Sequence, residues 1–320
     1  MKIVFLDAAT VGADISLDPI ARLGQLTCYP ATAADDRIAR IGDAEIVITN
    51  KVRIDSGVMD ACPSLRLICE AATGTDNIDT VQARQRGISV RNVAGYSTAS
   101  VVQLTMAVTL QLIHHIDRMD AYVKQGRYTD SRMFTCTAYP FSELAGKQWG
   151  IIGLGQIGRH VGEVAAAFGA HVAYYSTTGR NTSGKTFERM DLEELLRTSD
   201  VVSIHAPLND RTRNLIDRHR LRLMKPTALI VNMGRGGIIN EPDLAEALDE
   251  GLIAGAATDV FTQEPLPADH PFMHLRHPER MLFTPHIGWA ATEARQRLVE
   301  GIAGNIADFI GQTSKDTPTA

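Results

Sequence analysis

The sequence has few cysteines, and none of them forms a CxxC pair. The four cysteines, Cys28, Cys62, Cys69 and Cys136, are widely spaced along the 320 residues. This spacing is neither that of a structural zinc site nor that of the disulfide framework of a small secreted domain. We therefore expect reduced thiols and a cytoplasmic protein.

The sequence also lacks a large excess of charge and any long apolar run. Charged residues make up 22% of the chain and its formal net charge is -5, so neither a nucleic-acid partner nor a charged tail is predicted. The N-terminal apolar run, IVFL, ends at Asp7, which is typical of a first strand rather than of a signal peptide. No later run approaches the length of a membrane span, so no membrane association is predicted.

Short apolar runs alternate with stretches of helical length along most of the chain. The runs are rich in β-branched residues and apolar on both faces, as in parallel strands that are covered by helices. At 320 residues the chain is long enough for two domains. The predicted strands are KIVFLD (2–7), EIVITN (45–50), LRLICEA (65–71), ISVRNV (88–93), WGIIGL (149–154), HVAYYS (171–176), DVVSIHA (200–206), ALIVNM (228–233) and AATDVF (256–261).

A long apolar segment separates two groups of predicted strands. Residues 97–125 contain VVQLTMAVTLQLIHHI, which has neither glycine nor proline, so we expect one buried helix that connects two domains. The first sheet is predicted within residues 1–95, and the second begins at Trp149. A last helix is predicted from Thr292 to about Ile310.

A glycine-rich motif lies between a predicted strand and a predicted helix. GLGQIG, residues 153–158, follows WGII and precedes a helical pattern, which is the arrangement of a dinucleotide-binding turn. Gly153 would permit the tight turn, Gly155 would admit a pyrophosphate, and Gly158 would let the helix pack closely on the strand. A glycine-rich turn without a ligand is the alternative interpretation.

The acidic residue that usually follows such a turn by about twenty residues is absent. The strand HVAYY ends in Ser176-Thr177-Thr178-Gly179-Arg180, and no acid occurs from Gly169 through Phe187. Small hydroxyl groups followed by Arg180 would accommodate a 2′-phosphate. The sequence therefore favours NADPH weakly over NADH.

Three polar residues with catalytic potential follow later predicted strands. Arg235 lies in NMGRGG, Glu264 in DVFTQEP and His286 in TPHIGW. Ligands of open α/β sheets bind at the carboxyl ends of the strands, so these three side chains are expected beside the hydride carrier. Each also has an ordinary alternative: a solvated arginine, a loop glutamate and a structural histidine.

These motifs together resemble the D-isomer-specific 2-hydroxyacid dehydrogenases, the family of glycerate, D-lactate and phosphoglycerate dehydrogenases. The resemblance covers nearly the whole chain and includes AATGTDNID (71–79), NVAGYSTASVV (92–102) and HAPL (205–208). It implies an NAD(P)-dependent oxidoreductase similar to glycerate dehydrogenase or hydroxypyruvate reductase. In that family the residues that match Arg235, Glu264 and His286 are catalytic.

These residue types suit the reduction of a small 2-oxo acid such as hydroxypyruvate, glyoxylate or pyruvate. His286 would protonate the carbonyl oxygen as a general acid, and would take the proton back in the oxidation direction. Glu264 would favour the imidazolium and orient the ring. Arg235 would bind the substrate carboxylate and polarise the carbonyl group, which a planar bidentate donor does better than lysine.

The resemblance also implies which other residues bind the substrate and the cofactor. Gly74 and Thr75 would hold the substrate carboxylate through main-chain N–H groups, together with Arg235 and His286. Ser176 stands where the family has its ribose-binding acid. We call residues 153–158 the phosphate turn. Besides its three glycines, the positions that match cofactor contacts are Thr98, Gln156, Ile157, Ser176, Pro207, Met233 and Asp259, the last near the nicotinamide amide.

The fold implied is α/β, with two doubly wound parallel-sheet domains. A Rossmann nucleotide-binding domain, residues 98–286, is expected to be inserted into a flavodoxin-like substrate domain made of residues 1–97 and 287–320. The late position of the phosphate turn agrees with a discontinuous substrate domain. Members of the family are usually homodimers through the cofactor domain, for which helix 99–116 and segment 122–140 are the expected interface.

Other interpretations compete with this one. His270, His274 and His277 cluster, but prolines interrupt the segment and it has no carboxylate at ligand spacing, so no metal is expected. Glu264 argues against formate dehydrogenases of the family, which have glutamine there, and the position of GLGQIG argues against L-type lactate and malate dehydrogenases. An NAD(H)-sensing binding protein of the corepressor type, with little or no turnover, is the alternative function.

Overall fold

The computed structural model describes residues 1–179 and 186–315. The chain folds into two compact units. Unit 1 comprises Met1–Ser97 and Trp289–Ala320, and unit 2 comprises Thr98–Gly288. The second boundary lies after Gly288, two residues later than the sequence indicated.

The strands are numbered in chain order. Those of unit 1 are β1 (Lys2–Phe5), β2 (Gln25–Cys28), β3 (Ile46–Thr49), β4 (Leu67–Glu70) and β5 (Ser89–Arg91). Those of unit 2 are β6 (Gln148–Ile152), β7 (His171–Tyr175), β8 (Glu188–Arg189), β9 (Val201–Ile204), β10 (Leu229–Asn232), β11 (Gly255–Thr258) and β12 (Met281–Phe283).

The α-helices are numbered in the same way. They are α1 (Asp18–Ala21), α2 (Arg37–Ile41), α3 (Ser56–Ala61), α4 (Thr80–Gln85), α5 (Thr98–His114), α6 (Ile116–Lys124), α7 (Gln156–Ala167), α8 (Leu192–Thr198), α9 (Arg218–Leu221), α10 (Glu241–Glu250) and α11 (Thr292–Lys315). Short 3-10 helices occupy Ala8–Val11, Ala34–Asp36, Pro271–His274 and Pro278–Arg280.

Unit 1 contains one parallel sheet in the order β2-β1-β3-β4-β5, which is the flavodoxin-like order. Side chains of β3 and β4 are buried on both faces of this sheet. One face packs against α11 through residues such as Ile302, and the other packs against α3 through Met59. This double burial explains why the predicted strands are apolar throughout.

Unit 2 contains a parallel sheet in the order β12-β11-β10-β9-β6-β7-β8. Renumbered from its first strand, this is the doubly wound Rossmann order, in which the strand order reverses between β6 and β9. Parallel pairing joins every neighbouring pair of strands. The predicted fold class is confirmed, and the carboxyl edge beside β6 and β9 is where ligands of such sheets bind.

The prediction of one continuous helix over residues 97–125 is wrong. Helix α5 ends at His114, because His115 adopts a left-handed φ of 51°, and α6 is bent away by 57°. Helix α5 buries Val101 and Met106 in the core of unit 2, whereas every residue of α6 is at least partly exposed. In the described ranges no single helix is long and apolar enough to cross a membrane, and the bent pair of α5 and α6 qualifies by length and composition only.

Candidate active site

The phosphate turn has the geometry that its three glycines predict. Gly153 has φ 95°, and a Cβ there would lie 3.0 Å from the Cα of Ala206. Gly155 is the N-cap of α7, and a Cβ there would meet nothing within 4 Å among the described atoms. A Cβ on Gly158 would overlap the carbonyl oxygen of Gly153, so the helix and the turn are in direct contact. The turn therefore leaves open backbone at the helix N terminus, as binding of a pyrophosphate requires.

Other residues predicted to contact the cofactor lie at the starts of helices or in turns. Gln156 and Ile157 are the first residues of α7, and Thr98 is the first residue of α5. Pro207 is exposed in the turn that follows β9. Arg180 lies outside the described residues. These positions are compatible with cofactor contacts, and the contacts stay predictions.

Two further predicted contact residues are buried. Ser176, directly after β7, is 6% exposed, and its hydroxyl has no hydrogen-bond partner among the described residues. Met233 is 7% exposed and packs with Val101 in the core of unit 2. A cofactor contact of Met233 would therefore involve its main chain, whereas Ser176 could offer its hydroxyl group to a ligand.

The side chain of Asn232 shapes the turn that carries Arg235. Its Oδ1 accepts a hydrogen bond from the N–H of Gly234 at 3.1 Å, and its Nδ2 donates to the carbonyl of Arg235 at 2.9 Å. Gly236 leaves no room for a side chain, because a Cβ there would overlap the backbone of Phe261. The turn therefore abuts the loop at residues 261–264.

Glu264 and His286, which the sequence placed on separate motifs, are hydrogen-bonded partners. Nδ1 of His286 lies 2.7 Å from Oε2 of Glu264, and the two side chains are 24% and 28% exposed. An ionised carboxylate only accepts hydrogen bonds, so Nδ1 carries the proton and Nε2 remains for a substrate. The other oxygen, Oε1, accepts from the N–H of Phe261 at 3.0 Å. Both carboxylate oxygens are therefore held.

The backbone at His286 is strained and is fixed by Asp259. His286 has a left-handed φ of 54°, a conformation that costs about 1–3 kcal/mol in a residue other than glycine. Asp259, only 3% exposed, accepts from the N–H groups of Ile287 and Gly288 at 2.8 Å each and from the hydroxyl of Thr284 at 2.6 Å. Burial raises the pKa of Asp259, and these hydrogen bonds oppose that rise. Asp259 thus orients the loop of His286, and its predicted contact with the nicotinamide amide stays a prediction.

Two residues of unit 2 near the site were not predicted from the sequence to contribute to it. Glu241 and His270 form a hydrogen-bonded pair of 2.9 Å whose side chains are 8% and 10% exposed. The sequence analysis considered His270 only as part of a histidine cluster at which no metal is expected, and the described residues contain no group of three or more potential ligands that could hold a metal ion. The signal in the sequence that could have identified the pair is the position of Glu241, the first residue of α10, directly after the N-cap Asn240.

The predicted substrate residues Gly74 and Thr75 lie in unit 1, in the turn after β4. A buried acid lies at the end of that strand. Glu70 is 0% exposed, and its Oε2 accepts from the side-chain amide of Asn77 at 3.0 Å. Burial raises its pKa to about 9, with the charges of Asp7 and Asp76 adding to the rise. The carboxyl group of Glu70 is therefore neutral at pH 7.

Comparison with known proteins agrees with the family resemblance. Residues 106–288 match the family described as "D-isomer specific 2-hydroxyacid dehydrogenase, NAD binding domain". A hydroxypyruvate reductase from Blautia hydrogenotrophica is 36% identical over an alignment of 315 residues, which covers 97% of this chain and 97% of that protein.

Two solved structures are similar over almost their full length. An acyclic imino acid reductase in complex with NADPH and D-Arg is 27% identical, with a TM-score of 0.86 and coverage of 98% of both chains. A D-lactate dehydrogenase from Aquifex aeolicus, complexed with NAD and lactic acid, is 25% identical, with a TM-score of 0.85 and coverage of 98% of this chain and 96% of that one. The fold, the phosphate turn and these similarities lead to one conclusion: the chain belongs to the family of D-isomer-specific 2-hydroxyacid dehydrogenases.

Proposed function

We propose that this chain is an NAD(P)-dependent dehydrogenase that reversibly interconverts a small 2-oxo acid and the corresponding 2-hydroxy acid. The substrate is of the hydroxypyruvate, glyoxylate or pyruvate type. The observation that carries the proposal is the Glu264–His286 hydrogen bond of 2.7 Å in the unit that also holds the phosphate turn. Such a pair supplies a proton at the position where a carbonyl oxygen acquires negative charge.

Each catalytic residue has one role in this proposal. A bound reduced nicotinamide would supply the hydride that reaches the carbonyl carbon. His286 donates the Nε2 proton to the carbonyl oxygen, and Glu264 stabilises the imidazolium before that transfer. Arg235 binds the substrate carboxylate and polarises the carbonyl group. Gly74 and Thr75, in unit 1, are proposed to bind substrate through their main-chain N–H groups.

The proposed cofactor preference is NADPH over NADH. It is supported by the absence of an acid between residues 169 and 187 and by the unpartnered, buried hydroxyl of Ser176 among the described residues. A carboxylate at that position would accept hydrogen bonds from ribose hydroxyls and repel a 2′-phosphate. Ser176→Asp should therefore shift the ratio of kcat/KM values towards NADH, and Arg180→Ala should weaken NADPH more than NADH. Equal effects on both cofactors would contradict the preference.

We further propose a homodimer formed by unit 2, a substrate-binding role for unit 1 and a cytoplasmic location. Exposed apolar side chains in the segment 122–140 and next to it support the dimer: Phe134 is 91% exposed, Met133 61% and Phe141 59%. Isolated exposed apolar residues are common, but three large ones this close together in the sequence favour an interaction surface. Phe134→Asp should convert a dimer measured by light scattering into a monomer, whereas a native chain that is already monomeric would refute the proposal.

The deciding experiment is the loss of reduced-nicotinamide absorbance with hydroxypyruvate, glyoxylate and pyruvate, using NADPH and NADH in parallel. Saturable turnover that His286→Gln lowers by about 10²–10⁴-fold would establish the dehydrogenase and the role of the histidine. Cofactor binding without turnover of any of the three acids would instead favour the sensor of the corepressor type.

A further inference from the structure

The carboxylate of Glu241 is buried and holds two parts of unit 2 together. Its Oε1 accepts from the N–H of Thr262 at 2.7 Å, and its Oε2 lies 2.9 Å from Nε2 of His270. The side chain is 8% exposed. Hydrogen bonds to an ionised acceptor are roughly twice as strong as neutral ones, and breaking one inside a protein leaves a buried group unsatisfied. Glu241 therefore fixes residue 262 to the first turn of α10.

The hydrogen bonds of His270 define its tautomer. Nδ1 accepts from the N–H of Phe272 at 3.2 Å, so this nitrogen carries no proton. Nε2 must then carry the proton and donate to Glu241. Because both ring nitrogens are used and the side chain is 10% exposed, the ring is a fixed donor. It keeps the carboxylate of Glu241 in place for Thr262.

Thr262, which Glu241 holds, directly follows Phe261, whose N–H group orients Glu264. The N–H of Phe261 donates to Oε1 of Glu264 at 3.0 Å, and the following N–H, that of Thr262, donates to Glu241. Two successive N–H groups of one loop thus bind two carboxylates. Gly236 packs against the same backbone, so a shift of residues 261–262 would also displace the turn of Arg235.

We infer that Glu241 and His270 are positioning residues for the reaction: together they hold the loop 261–264 so that Glu264 stays hydrogen-bonded to His286. Neither is assigned contact with the substrate. The inference rests on the proposed function, because a role in orienting Glu264 matters only where the Glu264–His286 pair acts. It also makes a statement about the unliganded protein, namely that loss of Glu241 loosens the hydrogen bond between Glu264 and His286.

The test compares Glu241→Ala, Glu241→Gln and His270→Phe with a matched pair elsewhere in the unit. His277 and Glu279 form a second imidazole–carboxylate contact of 3.4 Å, but their side chains are 44% and 40% exposed. His277→Gln and Glu279→Gln therefore remove the same residue types without touching the loop 261–264. Cofactor affinity, measured by fluorescence titration, serves as the check that each variant retains the Rossmann unit.

We expect Glu241→Ala to lower kcat by about 10²-fold, since small displacements of catalytic groups have effects of that size. The cofactor Kd should stay within twofold of the native value. Glu241→Gln keeps an oxygen acceptor for the N–H of Thr262 but loses the acceptor for Nε2–H of His270, so it should restore only part of the lost kcat. His270→Phe should show a smaller loss than Glu241→Ala, and the two control variants should resemble the native protein.

A readout without turnover separates this inference from the proposed function. The Nδ1 proton of His286, followed by NMR in the unliganded protein, should exchange with water faster in Glu241→Ala than in the native chain and the controls. A lower Tm with unchanged kcat and unchanged exchange of the Nδ1 proton would show that the pair is merely structural and would overturn the inference. Native protein without turnover, but with this change in proton exchange, would instead count against the proposed function alone.

Discussion

Replacing Glu70 by glutamine is expected to stabilise unit 1 increasingly as the pH rises. The Glu70 side chain is 0% exposed, its Oε2 accepts from Asn77, and its Oε1 has no partner among the described residues. Burial, followed by the nearby charges of Asp7 and Asp76, raises its pKa from 4.5 to about 9, against the hydrogen bond of Asn77 and the charge of Lys51. The folded chain therefore keeps a proton on Glu70 that the unfolded chain releases.

The magnitude follows from proton linkage. Between pH 4.5 and about 9 the folded state binds one proton more than the unfolded state at this site, so the free energy of unfolding decreases as the pH rises. Each pH unit contributes about 1.4 kcal/mol, which amounts to about 2.7 kcal/mol between pH 5.5 and 7.5. Glutamine binds no proton in either state. Its packing cost is the same at both pH values and cancels when they are compared.

Urea unfolding followed by circular dichroism at pH 5.5 and 7.5 measures this difference. The stability of Glu70→Gln relative to the native chain should increase by about 2.7 kcal/mol between the two conditions. Glu300→Gln, an exposed change on α11, is the control and should show no such increase. An equal difference between Glu70→Gln and the native chain at both pH values would refute the burial argument.

Four further outcomes follow from the site and its surroundings. His286→Gln should lower kcat by about 10²–10⁴-fold without changing the cofactor Kd. Arg235→Lys should lower kcat/KM for the oxo acid, because lysine lacks the bidentate donor geometry of arginine. Near-native kinetics of either variant would contradict the role of that residue. Asp259→Asn should lower both Tm and kcat, because the charged acceptor for the loop of His286 is lost. Unchanged Tm and kcat would contradict the role of Asp259 in holding this loop. Burial lowers the pKa of His205 to about 3, so the folded ring stays neutral while the unfolded ring binds a proton below pH 6.5. Stability should thus fall by about 1.4 kcal/mol per pH unit below 6.5 through this residue, and His205→Gln should show a smaller loss of Tm between pH 6.5 and 5 than the native chain.

The interior strands could be predicted from the sequence, and three edge strands could not. A strand covered on both faces, such as β3 or β10, needs a continuous apolar run, which is visible locally. The missed strands β2, β8 and β12 all lie at sheet edges and are partly exposed, so their composition differs little from that of loops. The break at His115 was also missed, because an isolated left-handed residue has no required sequence when it is not glycine.

The sequence by itself determined the chemical types in the site. Gly153 is required by its positive φ and Gly158 by its close contact with the carbonyl group of Gly153, whereas Gly155 leaves the helix N terminus open. Arg235, Glu264 and His286 each follow a strand or loop that a pattern can locate. Parallel strands bring their carboxyl ends to one edge of a sheet, so a set of polar residues after several strands predicts a shared site.

Only the tertiary structure decided how those groups are held and charged. The bonds from Glu241 to Thr262 and to His270 join residues 21 and 29 positions apart, and those from Asp259 to the loop of His286 span 28 and 29 positions. The neutral state of Glu70 depends likewise on burial by distant strands and helices. Hydrogen-bond partners and desolvation arise from packing between segments, and no local pattern of residues encodes them.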